Sequence, residues 1–153
     1  MKEHELLPLE EQYVQYAEVH NVAGEPEFSF MICMLREMSR HLMQAKRVSI
    51  DTSFRRLHDW EEFEIESWES DSKRCKGEVH LFSAMDSHLG SAAVVCSRAF
   101  TTSQSAEAHF VLLKQIFEIA SQDTGLPVQF KHIHGQGFET WIADAHKGQG
   151  LGT

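Results

Sequence analysis

The chain has 153 residues, 42% hydrophobic and 24% charged, enough for one cored domain and outside the range of compositional disorder. No run approaches the roughly 18 apolar residues of a membrane span, and Met1-Lys2-Glu3-His4-Glu5 opens onto polar residues rather than a signal core. The net charge of −9 excludes a nucleic-acid partner only if it is spread evenly, because phosphate binding draws on Lys and Arg.

The charge is not even. Residues 1–30 sum to −6, residues 61–90 to −5 and residues 91–153 to −1, whereas residues 31–60 sum to +3. That basic stretch holds Arg36, Arg40, Lys46, Arg47, Arg55 and Arg56, and it surrounds Asp51. Cys33, Cys75 and Cys96 are odd in number and far apart, so they read as reduced thiols of an intracellular protein.

Residues 1–24 are acidic and weakly patterned, and read as a tail or short helix. From Glu25-Pro26-Glu27 the sequence predicts a helix, since Pro26 suits a first turn and Phe28, Met31, Ile32, Leu35, Met38 and Leu42 recur at three- and four-residue steps. Arg47 to Phe54 predicts a strand with Val48, Ile50, Thr52 and Phe54 on one face and Ser49, Asp51 and Ser53 on the other. Trp60 to Trp68 predicts a second, with Phe63 and Ile65 opposite Glu62, Glu64 and Glu66; the glutamate run reads as a solvated face. Residues 69–90 are polar and read as an insertion. Ala92 to Phe100 predicts a third strand, buried on both faces. Thr101-Thr102-Ser103 then offers caps for a second helix ending near Thr124-Gly125, followed by strands at Val128–Ile133 and Glu139–Ala143 around a glycine turn. The order is α/β with a mixed sheet flanked by helices.

Asp51 stands out because a carboxylate mid-strand in an apolar run is costly unless paired or bound to a cation. Asp144 follows Thr140-Trp141-Ile142-Ala143, at the strand end where open α/β sheets place their sites. Two carboxylates from separate strands suit a divalent-metal phosphoryl-transfer site; as a strand-edge residue and a helix cap, the same two need no metal. His132 and His134 form an H-x-H on the expected strand, with His146 beyond, a pattern open to Zn²⁺ but equally to ordinary polar histidines. The Gly148–Gly152 loop resembles the pyrophosphate loop of GNAT-type acyltransferases, which would make the chain an acyltransferase fragment using coenzyme A; a non-catalytic interaction module is a third alternative.

Val48-Ser49-Ile50-Asp51-Thr52-Ser53-Phe54 resembles the I-D-x-T-F strand that opens the catalytic domain of Mutator-like (MULE-type) transposases. Trp141-Ile142-Ala143-Asp144-Ala145-His146-Lys147-Gly148-Gln149 resembles the step carrying their second aspartate. Arg98 to His109, leading into an amphipathic helix, is similar to their third strand and first sheet-covering helix. The resemblance spans roughly residues 28–153 and extends to related fungal transposase-derived proteins. It implies an RNase H-like fold and a DDE-type nuclease and strand transferase, with Asp51 and Asp144 as catalytic carboxylates holding Mg²⁺ or Mn²⁺. DNA would be the partner, Arg47, Arg55 and Arg56 its backbone contacts, and the nucleus its location. The third carboxylate implied, on a later helix, has no position in these 153 residues, so the core is expected to be incomplete at its C-terminus and its activity is left open.

Overall fold

Phe28, Phe30 and Ile32 alternate with Ser29 and Met31, and that period of two carries the strand Phe28–Cys33 in the computed structural model of the chain. The structure describes residues 6–8, 11–24, 26–57, 60–69 and 92–143. It is a mixed α/β arrangement: a six-stranded mixed sheet with helices on one face. In chain order the elements are β1 (Val14–His20), β2 (Phe28–Cys33), α1 (Arg36–Gln44), β3 (Arg47–Leu57), β4 (Trp60–Glu69), β5 (Ala92–Thr101), α2 (Ala106–Thr124), the one-turn α3 (Lys131–His134) and β6 (Thr140–Ala143).

Two expectations for the N-terminal third are corrected. Residues 14–20 form β1, paired antiparallel with β2, rather than lying in a tail or helix. Tyr16 anchors β1 by stacking on Phe30, with ring centroids 5.6 Å apart. The helix expected from Glu25 begins only at Arg36, because Phe28, Phe30 and Ile32 are worth more on one buried strand face, about 1.5–3 kcal/mol each. Helix α1 then buries Ser39 and Leu42 and packs on α2. Ser39 donates to Asp123 Oδ2 at 2.5 Å, and Arg36 lies 3.9 Å from the same carboxylate, so a polar clamp joins the two helices.

The sheet order is β1-β2-β5-β4-β3-β6, with every neighbouring pair antiparallel except β3 and β6, which run parallel. One sheet face carries Phe28, Phe30, Ile32, Val48, Ile50, Phe63, Ile65 and Ala99 into the core. Helix α2 closes that face with Ala108, Leu112, Leu113, Ile116, Ile119 and Ala120. Its N-cap is Ser105, whose side chain accepts from the Ala108 N–H, and it stops at Gly125 with φ of 69°, a left-handed cap.

Beyond α2 the expected strand Val128–Ile133 is replaced by a single Phe130–Phe138 bridge and the short α3. Gly137 allows the return: at φ of +96° it brings its Cα so close to Gln129 that an added Cβ would lie 2.0 Å from the Gln129 carbonyl oxygen. Phe117, Phe130, Phe138 and Trp141 meet there edge-on or tilted, with centroids 5.5 to 6.4 Å apart, and tie β6 to α2.

Candidate carboxylate site on the face opposite the core

The alternation of β3 and β4 that buries Val48, Ile50, Phe63 and Ile65 sends the intervening residues to the opposite face. Ser49 lies opposite Glu66, Asp51 opposite Glu64 and Ser53 opposite Glu62. The Asp51 row continues across the sheet, since Glu64 pairs with Arg98 on β5 and Arg98 with Cys33 on β2. One row therefore reads carboxylate, carboxylate, guanidinium, thiol.

Asp51 is exposed. Its neighbours are not, and here the expectation of a solvated glutamate face is corrected: Glu62 is only 3% exposed. A buried carboxylate is tolerated when a cation faces it. Arg98 supplies the cation, with Nε donating to Glu64 Oε2 at 3.0 Å and lying 3.8 Å from Glu62 Oε1. The Tyr13 hydroxyl joins the group through a hydrogen bond with Arg98, and burial pushes its pKa up.

Burial is also the main cause that raises the Glu66 carboxyl above its ordinary value, helped by Glu64, Asp51 and a hydrogen bond with Glu64. The Cys33 thiol at the end of the row is likewise raised by burial, with Arg98 acting the other way. The face thus holds its negative charge under two regimes. Glu62 and Glu64 share the single positive charge of Arg98, while Glu66 beside Asp51 is biased toward its protonated form.

The parallel ladder between β3 and β6 pairs Val48 with Trp141, Ser49 with Ile142 and Ile50 with Ala143. It ends one residue before Asp51 on β3 and one residue before Asp144 in the sequence. Asp144 itself lies outside the described residues, as do His146, the Gly148–Gly152 loop and most of the polar 69–90 block. Arg47 is exposed at the start of β3 and shares Asp51's parity on the strand, about 13 Å away along it. Arg55 and Arg56 belong to β3 next to a register shift between Phe54 and Leu57, and their side chains lie outside the described residues.

The H-x-H pair is corrected too. His132 and His134 are exposed on the helical turn α3 instead of aligned on a strand, and the His134 Nδ1 accepts from the Phe130 N–H at 3.0 Å. Among the described residues, no three His, Cys, Asp or Glu side chains converge on a metal position. The carboxylates of the Asp51 face are instead interrupted by the Arg98 guanidinium, which pairs with Glu64 and Glu62. Arg98 and Glu62 were the functional-face residues that sequence reasoning missed; the available signal was a lone arginine inside the apolar run of β5. No helix among the described residues is long and apolar enough to cross a membrane.

Comparisons of the chain with protein-family models, with curated proteins and with solved structures found no match.

Proposed function

We propose that the chain is a partial RNase H-like core of transposase-derived origin, with Asp51 and Asp144 as the first two metal-binding carboxylates of a DDE-type nuclease that would act on DNA phosphodiesters in an intact parent. The observation that carries this reading is the parallel pairing of β3 with β6, which puts the Asp51 strand directly beside the strand that leads into Asp144. The meander β3-β4-β5, followed by α2 and then by a strand parallel to β3, is the connectivity such a core requires. An acyltransferase built on the Gly148–Gly152 loop gives no role to an exposed aspartate in mid-strand.

Mg²⁺ or Mn²⁺ at Asp51 would neutralise phosphate charge and lower the pKa of a water or 3′-hydroxyl for in-line attack on phosphorus. The chain's own residues orient that site. Strand β3 holds the Asp51 carboxylate on a rigid element, and Arg47 on the same face offers a cation to the nucleic-acid backbone. The glutamates of β4 repel a phosphate backbone unless they are neutralised, so the cation and Arg98 are prerequisites for binding DNA here.

The experiment is a Mn²⁺ titration of thermal unfolding for the wild-type chain and Asp51→Ala. A rise in melting temperature that saturates in the wild type and vanishes in Asp51→Ala is the expected result. Equal behaviour of the two proteins sinks the reading and leaves a non-catalytic module.

A further inference from the structure

Strand β1 lies at one end of the sheet order and, among the described residues, pairs with β2 alone. The direction of its backbone groups follows from that neighbour. The Ser29 carbonyl accepts from the Thr102 N–H, and the Met34 N–H donates to the Tyr13 carbonyl. Alternation along β2 therefore turns the backbone groups of Ser29 and Met31 to β5 and those of Phe28, Phe30 and Ile32 to β1. Tyr16, Glu18 and His20 take up the latter, so the N–H and C=O groups of Gln15, Ala17 and Val19 line the outer edge. We propose that this edge pairs with the β1 edge of a second copy of the chain, antiparallel and centred on Ala17, joining two sheets into one.

The edge is poorly guarded against such pairing. Val14–His20 has no Lys, Arg or Pro, and its one carboxylate, Glu18, is engaged by the Tyr16 hydroxyl. The register shift between Val14 and Tyr16 lies at one end and leaves the rest of the strand regular. Apolar exposure gathers here as well: Leu6, Leu7, Val14, Val19 and Val22 are five of the nine large hydrophobic side chains exposed among the described residues. Charge selects the occupant and its direction. In an antiparallel pair centred on Ala17, Glu18 faces Tyr16 of the second copy, Gln15 faces Val19 and Val14 faces His20, so no like charges meet. A parallel pair would set Glu18 beside its own copy. Ala17 is the middle residue of the seven, so this register uses the whole strand. Because the same edge serves both copies, the contact closes at a dimer.

The test is sedimentation velocity of the full chain across a range of concentrations, for wild type, Ala17→Lys and Ala17→Glu. Ala17 is exposed and its side chain lies off the core face, so both substitutions act on the dimer rather than on the fold. Wild type is expected to pass from monomer to dimer as concentration rises. Each variant is expected to associate about tenfold more weakly, since like charges then meet across the symmetry axis. An equimolar mixture of the two variants is expected to recover the wild-type association, because opposite charges meet instead. Hydrogen exchange on the wild type gives a second reading: dimerisation is expected to slow the Ala17 and Val19 amides and to leave those of Tyr16 and Glu18 unchanged. A wild type that stays monomeric at every concentration overturns the proposal, whether the edge is bare or covered by another part of the chain. A dimer that forms equally well with Ala17→Lys overturns it too, as does a mixture no tighter than either variant alone.

Discussion

The two faces of the sheet use the same strands for opposite purposes. On the helix-covered face Ile50, Phe63, Ile65 and Ala99 meet α2, and stability there comes from area removed from water. On the other face Asp51, Glu62, Glu64, Glu66 and Arg98 meet one another, and what matters is how charge is paired. Glu62 and Phe63 are adjacent on β4 and nearly equally buried, at 3% and 5% exposed, yet one is held by a guanidinium and the other by packing. Burial alone therefore does not separate a structural position from a candidate functional one; the kind of partner does.

The contrast can be broken first on the apolar side. Phe63→Ala removes a ring packed edge-on to His109 at 4.8 Å, and is expected to cost about 3–5 kcal/mol in denaturant unfolding. A loss under about 1 kcal/mol would mean that α2 does not close this face. The cap of that helix gives a smaller effect: Ser105→Ala should cost about 1 kcal/mol by the same measurement, since the Ala108 N–H loses its acceptor.

The polar face should respond to pH rather than to volume. Glu66 has a raised pKa in the folded chain, so the folded state binds its proton more readily than the unfolded state does. The stability this proton contributes is complete below the unfolded value and is lost as pH rises through the folded one. Glu66→Gln should accordingly flatten the fall in stability just above the ordinary carboxyl range and change little at lower pH. Identical pH profiles for the two proteins would remove Glu66 from the coupled carboxylates.

Strands β3 and β4 and helix α2 were legible in the sequence from their apolar periods, and β5 from its short unbroken apolar run. Strand β2 was not, since Phe28, Met31, Ile32 and Leu35 satisfy a helical period as well as Phe28, Phe30 and Ile32 satisfy a strand's. Strand β1 has only exposed and half-buried positions and leaves hardly any pattern to read. At the site, Asp51 was visible as a charge inside an apolar run. The burial of Glu62 was hidden, because its cause is an arginine on another strand, 34 positions after Glu64 in the chain.

By itself the sequence determined that Val48, Ile50, Phe63 and Ile65 face the core and that Asp51 faces away from it, because alternation is a local property of an extended backbone. Only the tertiary structure decided which strands are neighbours. Pairing β3 with β4, β4 with β5 and β5 with β2 set Asp51, Glu64, Arg98 and Cys33 in one row across the sheet. The field around Asp51 is thereby set by partners that are distant in the chain and adjacent in the sheet.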